Sequence, residues 1–532
     1  MSKSVKNAAN FVERKITAMY SKVDVWQGRV ARLLFILMCC VMPLYLNPAY
    51  RYFYMPQHKW NFFIASMILV LLIVVIIWLY RIANKPRILP QDTLNITDWA
   101  IIGFAIVTLV STIFSPFRHF MDVWVGNPEP EGRYDGAYTQ LLYVAIFFII
   151  SRWYKPREKD FMWFSTASII ISLIGIFQFF GMDFLRLWPN HMPAFHQPNL
   201  FNIFIRSTLG NTNTVSVFVT LAALFTGFLF VRKSSKWQPL WLCASALNIW
   251  LWVIADADSG TVGIVVAMLL AIPFIIQNMK SFGRTLILVS AWVITYTAHI
   301  FFFEVVAIET RNPATLLPFI VAFAVMLAIG IILAKRSKEP DSDAPPKWKL
   351  GVILIVALIV IGIVGVEILG RPDANGYGSG VVYEVREILH GNIRDEFGTN
   401  RVYIWRHALS VFPYRPIIGY GPDTFLLAFP FEAQEYFGEV YDTAHNEYIQ
   451  YLISQGILGL LAYLVFVVTI VITSVRKAFK EPIIAATLVA FVGYLAQAFF
   501  NISHPIASQI LWVFAGILMS RRLNENGRFE HI

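Results

Sequence analysis

The sequence predicts an all-α polytopic membrane protein of about 14 (12–14) transmembrane helices with one large extracytoplasmic loop. Three observations predict it. The 532 residues are 57% hydrophobic and 14% charged, against about 25% charged in a soluble globular protein. Apolar runs of spanning length, roughly 20 helical residues, recur along the chain. They are continuous, without the two-residue alternation of a lipid-facing barrel strand.

The candidate runs lie near 30–46, 60–80, 98–114, 138–151, 161–180, 213–231, 239–254, 259–276, 285–303, 315–334, 350–369, 447–474, 483–500 and 505–520. The fourth and seventh are short or abut another run, so twelve or thirteen crossings stay open. These runs divide the chain into a cytoplasmic N-terminal segment (1–29), a transmembrane bundle (30–369), a large extracytoplasmic loop (370–445), C-terminal transmembrane helices (446–520) and a cytoplasmic tail (521–532). The polar N-terminal stretch has no cleavable signal pattern, so the first span is expected to act as an uncleaved anchor. Segment 335–349 (KRSKEPDSDAPPKWK) is charged and proline-rich and reads as a flexible linker.

Charge sets the expected orientation. Alternate segments, from Lys3 and Lys6 through Lys335 and Arg336 to Arg521 and Arg528, hold 29 of the 43 basic residues, and the opposite side holds 13. Basic loops stay in the cytoplasm, which puts both termini inside and the 370–445 loop outside. The net charge of +10 therefore reads as topology and contact with anionic membrane lipid; no basic domain exists to grip a nucleic acid. Cys39, Cys40 and Cys243 fall in apolar runs and read as small hydrophobes, fitting neither a disulfide framework nor a zinc site.

Within the large loop, Val382, Val385, Leu389 and Ile393 recur at helical spacing, and Val402, Trp405, Leu409 and Phe412 form a second stripe ending at Pro413 and Pro416. Both amphipathic helices should lie against the bundle or in the membrane interface. Gly419, Gly421 and Pro422 then mark a turn. The stretch AHNEYIQYLISQGILG (444–459) joins a polar His-Asn pair to a span. Asp442 or Thr443 can cap that helix. A continuous helix would align His445, Ile449, Leu452, Gly456 and Gly459, the glycines admitting a neighbouring helix. His445 would then sit at the outer lip of the bundle, where an imidazole exchanges protons near neutral pH. The bland alternative is an interfacial His that hydrogen-bonds a loop.

The outer side carries Arg133, Arg206, Arg371, Arg386, Arg394, Arg401, Arg406 and Arg415, with Lys59 its only lysine. A guanidinium grips phosphate with two parallel donors where an ammonium offers a point charge. Glu384, Glu387, Asp395 and Glu396 are close enough in sequence to pair with several of them instead. His191 and His196 make a weak metal signal. Asp256 and Asp258 read as a tight turn between two spans.

Arg401-Val-Tyr-Ile-Trp405, then Pro416-Ile-Ile-Gly419-Tyr-Gly421, then His445-Asn446 with Gly456 and Gly459, resemble the O-antigen ligase/polymerase superfamily. Arg206 with Gly210-Asn211-Thr-Asn213 is similar to its upstream outer motif, and Gly126, Arg133 and Gly136 more loosely to its N-terminal region; QAFFNISHP (497–505) is similar as well. The resemblance implies a multispan glycosyltransferase of the bacterial plasma (inner) membrane, working on the outer face. It would move a glycan from a polyprenyl-diphosphate carrier to a hydroxyl on a glycan, lipid or protein, with no cofactor, metal or nucleotide sugar. The family's essential His corresponds to His445 and its essential arginines to Arg206 and Arg401, with Arg133, Arg406 and Asn446 as further substrate contacts. Where many members have Ser-Arg at the outer start of a middle span, this chain has Ser259-Gly260. The rival classes are a lipid-linked oligosaccharide flippase, which would keep ionisable groups at mid-membrane depth, and an envelope-assembly scaffold.

Overall fold

The computed structural model describes residues 22–47, 55–83, 93–127, 132–185, 187, 206–307, 316–337, 345–372, 378, 380–434 and 440–522. His191 and His196, residues 338–344 of the 335–349 linker and the end of the tail lie outside them. All regular structure among the described residues is helical. Twelve helices are long and apolar enough to span: α1 (Lys22–Leu44), α2 (Met55–Ala83), α3 (Ile96–Ile113), α5 (Glu158–Phe179), α6 (Thr212–Arg232), α7 (Gln238–Ala255), α8 (Asp258–Ile275), α9 (Met279–Ala307), α10 (Leu317–Arg336), α11 (Trp348–Leu369), α14 (Glu447–Ala478) and α15 (Pro482–Gln497). Two shorter apolar helices, α4 (Ala137–Trp153) and α16 (Gln509–Leu518), complete the set, with α12 (Val381–Leu389) and α13 (Arg401–Val411) between α11 and α14. The predicted fourth run is short, as expected, but the seventh is a full span and the fourteenth is the other short one. The first helix starts at Lys22, inside the segment read as polar.

Burial sorts the helices. The most apolar stretch of α6 is wholly buried, packed on α7 and α15, whereas that of α11 has no buried residue. In a bilayer the exposed Val352, Ile353, Val360 and Ile361 of α11 meet lipid. Next to it, α9 and α10 touch at Gly283 and Gly330, where an added Cβ would come within 3 Å of the other backbone.

The end of the bundle where α1 finishes and α14 begins is built on polar ties. Buried Lys59 donates Nζ to the carbonyls of Met42 and Pro43 at the end of α1, both at 2.9 Å, the last-turn acceptors a cation satisfies well. Thr208 donates to the same Pro43 carbonyl at 2.7 Å, so the loop ahead of α6 is fixed to α1 and α2.

Helix α14 departs from the continuous helix the sequence predicts. At Gly456 the backbone turns to φ 69° and ψ −170°, and the helical ladder opens. Residues 416–421 lie in the gap: Tyr420 and Gly421 donate their amides to Ile453 and Ser454 at 3.0 and 2.8 Å, and Ile457 donates to Pro416 at 2.8 Å. Every freed backbone group at membrane depth needs such a partner. Gly456 and Gly419 are thus a fit to an extended strand of chain, not to another helix: an added Cβ at Gly456 would stand 2.3 Å from Ile417, and one at Gly419 2.5 Å from Ile453.

The amphipathic helices are also shorter and differently turned than expected. In α13 the buried side chains are Tyr403, Ile404 and Ala408, with Leu409 exposed. In α12 the apolar Val382, Val385 and Leu389 are exposed while Tyr383 and Glu387 are buried. Its apolar face is not covered by the bundle, although α12 packs on α11.

Candidate active site

His445 sits one residue before the cap of α14, in the left-handed region at φ 45°, a conformation that costs a non-glycine residue of order 1–3 kcal/mol. Its neighbours hold it there. Trp405 Nε1 donates to the Ala444 carbonyl at 2.9 Å, and the Ala444 amide donates to Gln450 Oε1 at 3.0 Å. On the other side Asn446 caps the helix, its Oδ1 accepting from Tyr448 and Ile449 amides at 3.0 and 3.1 Å. The cap is therefore Asn446, not Asp442 or Thr443.

Asp442 is occupied elsewhere. Arg133 grips it with two donors, Nε to Oδ2 at 3.1 Å and Nη2 to Oδ1 at 3.3 Å. Both side chains are partly exposed and line a cavity of ≈ 290 Å³ with Asn127, Asn211, Thr214 and His504, walled by Leu209, Leu426, Val440 and Ile506. Burial drives the His445 imidazole well below its ordinary range; the cations Arg133 and Arg401 add to this, and Asp442 opposes it. His445 Nδ1 is itself buried with no hydrogen-bond partner among the described residues.

Arg206 and Arg401 are each held by a carbonyl of their own loop. Arg206 donates Nη1 to the Gly210 carbonyl at 3.2 Å, and burial lowers its pKa to about 10. Its loop is pinned by Ser207, whose amide donates to Gln178 at 2.9 Å and whose hydroxyl donates to the Ile171 carbonyl at 2.6 Å. Gly210 and Asn211 carry that loop to the cavity wall. Arg401 opens α13 after three residues with positive φ, Gly398, Thr399 and Asn400, and donates to the Gly398 carbonyl at 2.7 Å. Burial lowers its pKa, with Asp258 and Glu384 opposing.

The structure thus brings His445, Arg133 and Arg401 into one electrostatic group and sets Arg206 beside the cavity. It does not bring in Arg406, whose side chain is 59% exposed and paired with Asp395 at 2.8 Å. Arg386 likewise pairs with Glu367 and Glu387, as the nearby acidic residues foretold. Asp256 ends α7 at φ 47°, the expected tight turn. At Gly260 an added Cβ would meet Ser216 Oγ at 2.5 Å and Trp252 Nε1 at 2.6 Å, so the position is closed to a larger side chain unless these move. Arg401 lies within electrostatic reach of Asp258, two residues before Gly260.

Sequence reasoning missed His504. It is buried in the cavity wall, its Nδ1 accepting from the Ile506 amide at 3.2 Å, and burial depresses its pKa to about 3. The signal was a polar Asn-x-Ser-His cluster between two apolar runs. Asp423 is a brace: its buried Oδ2 accepts from the Asn127 and Asp135 amides at 2.7 and 3.3 Å, and burial raises its pKa to about 7. This explains Gly126 and Gly136, where a Cβ would strike Asp423 or the facing backbone. No cluster of three or more metal-ligating side chains occurs among the described residues.

Residues 314–464 match the family model described as O-Antigen ligase, a stretch running from α10 through α12 and α13 to the first half of α14. No curated protein matches the chain.

Proposed function

Because residues 314–464 match the family model described as O-Antigen ligase, we propose a glycosyltransferase of the O-antigen ligase/polymerase superfamily that takes its glycan from a polyprenyl diphosphate. The acceptor is a hydroxyl on a lipid, a growing glycan or a protein, and the reaction occurs on the outer face of the bacterial plasma membrane. Both chain termini lie in the cytoplasm. The observation that carries the reading is His445, held in a strained conformation from both sides beside two guanidinium groups.

In this scheme the acceptor hydroxyl attacks the anomeric carbon while His445 takes its proton. The bond from that carbon to the diphosphate oxygen breaks, and the carrier leaves as its diphosphate. Arg206 and Arg401 hold the diphosphate and offset the charge that develops on it, an electrostatic contribution that grows toward the transition state. Arg133 joins them at the cavity. Arg406, exposed and paired, has the smallest share.

The pH dependence follows from the surroundings of His445. The base must be neutral, so activity falls as pH drops through its pKa. In the free enzyme burial and two cations lower that pKa, so the acid limb of kcat/KM lies below the ordinary value of about 6.5. A bound diphosphate offsets Arg133 and Arg401, so the acid limb of kcat lies at higher pH than that of kcat/KM. The test is product formation by purified protein with a lipid-diphosphate glycan donor across pH 4–9 (a range on the order of the histidine window). Coincident limbs at 6.5 or above would refute the role given to His445.

A further inference from the structure

The two-pronged geometry on Arg133 is that of a guanidinium on an oxyanion, and a phosphate has the same pair of acceptor oxygens. Here the oxyanion is the chain's own Asp442, on the wall of the cavity that Arg133, Asn211 and His504 share. Three residues on, His445 Nδ1 is buried without a hydrogen-bond partner among the described residues. One carboxylate is thus bound to a cation suited to phosphate, and one imidazole lacks the acceptor that would orient it.

We propose that Asp442 stands in for a phosphate of the donor on Arg133, and that the incoming diphosphate displaces it so that it turns to accept a hydrogen bond from His445 Nδ1–H. The proposal rests on the donor-binding reading above. Asp442 becomes a positioning residue: it fixes the tautomer with Nε2 free to take the proton, and it balances the imidazolium that forms. The base is assembled only when the donor is present, which guards the membrane surface against idle attack.

The charged groups facing this pair are few. Arg133 and Arg401 face His445, while Asp423 and His504 lie within electrostatic reach of both Arg133 and Asp442. Asp423 is fixed by two backbone amides and His504 by the Ile506 amide, so neither is placed to exchange with Asp442.

The experiment measures binding of inorganic diphosphate to the full-length protein in nanodiscs, together with turnover on a lipid-diphosphate glycan. If Asp442 competes for Arg133, Asp442→Asn removes the competitor and tightens diphosphate binding by about tenfold, while kcat falls by at least about tenfold because His445 loses its partner. In an Arg133→Ala background, Asp442→Asn should leave diphosphate affinity unchanged, since the shared partner is gone. Asp442→Glu, which keeps the charge, controls for folding and should recover part of kcat. Affinity unchanged or weakened in Asp442→Asn overturns the proposal. If affinity is unchanged there yet lost in Arg206→Lys, the donor-binding reading survives and only the exchange is wrong; if no outer arginine affects it, both are.

Discussion

The two ends of the bundle use basic side chains in opposite ways. At the end where α3 and α5 begin, cations finish on carboxylates that belong to helix ends. Arg152 and Arg521 share Asp98 at 3.0 and 2.7 Å, Lys155 and Arg522 share Asp24, and Arg32 pairs with Asp160. At the cavity end, Arg206 and Arg401 each donate to a carbonyl of their own loop, Gly210 and Gly398, bonds that set the direction of a guanidinium. Charge spent on a carboxylate ties helices together. A carbonyl of the same loop instead aims a guanidinium locally, and Arg133, doubly bonded to Asp442, stands between the two regimes.

The hardest test of the cavity end is His445→Ala. A positioned base contributes about 10²–10⁴-fold, so turnover should fall by that factor while diphosphate binding persists. His445→Asn, similar in size without basicity, should be nearly as inactive. Near wild-type turnover by the Asn variant would reduce His445 to a helix-end spacer. Asp423 is then a poor substitute, because its oxygen already braces two amides.

Arginine geometry comes next. Arg206→Lys and Arg401→Lys keep the charge but lose the planar fork, and each should cost about 10–100-fold in kcat/KM, ~1.4–2.8 kcal/mol. Tolerance at both positions would mean that charge alone matters and that carbonyl-steered geometry teaches nothing about function.

The end where α3 and α5 begin predicts the converse, a loss of stability without loss of chemistry. Asp98 is buried, caps α3 in a reciprocal pair with Asn95, and takes two arginines. Asp98→Ala leaves Arg152 and Arg521 without their shared acceptor and should cost about 2–4 kcal/mol. Melting temperature in detergent should fall, with turnover per folded molecule unchanged. Loss of turnover in the folded fraction would erase the distinction between the two ends.

How much of this was legible in the sequence follows from the range of each signal. The spans declare themselves through composition, and α6 and α11 read alike as apolar runs although one is buried and the other faces lipid; only tertiary contact separates them. Gly456 signalled close approach correctly, but its partner is an extended segment whose backbone fills the broken ladder, and no local spacing encodes that. The cap of α14 was ambiguous because Asp442, Thr443 and Asn446 all suit the position. It was decided by Arg133, 309 residues away, which takes Asp442. His504 stood inside the quoted QAFFNISHP stretch without a role, because nothing local shows that it faces the cavity. His445, Arg206 and Arg401 were singled out through the resemblance; the structure sets His445 within electrostatic reach of Arg401 and Arg206 on the loop that carries Gly210 to the cavity wall.

Arg406→Lys should produce the smallest change, and it sharpens the comparison because the residue lies at the cavity end yet behaves like the other. Its side chain is 59% exposed and bonded to Asp395 at 2.8 Å, and the cavity wall does not include it. Solvent screens such a pair, and exposed ion pairs contribute about 0.2–1 kcal/mol at most. Lysine preserves the charge and most of that small contribution. Turnover and melting temperature should therefore stay within about twofold and ~2 °C of wild type. A loss comparable with that of Arg401→Lys would show that the substrate reaches across the face of α13 to the exposed arginine. The boundary of the site would then be drawn by the glycan's length and not by the enclosure of its guanidinium groups.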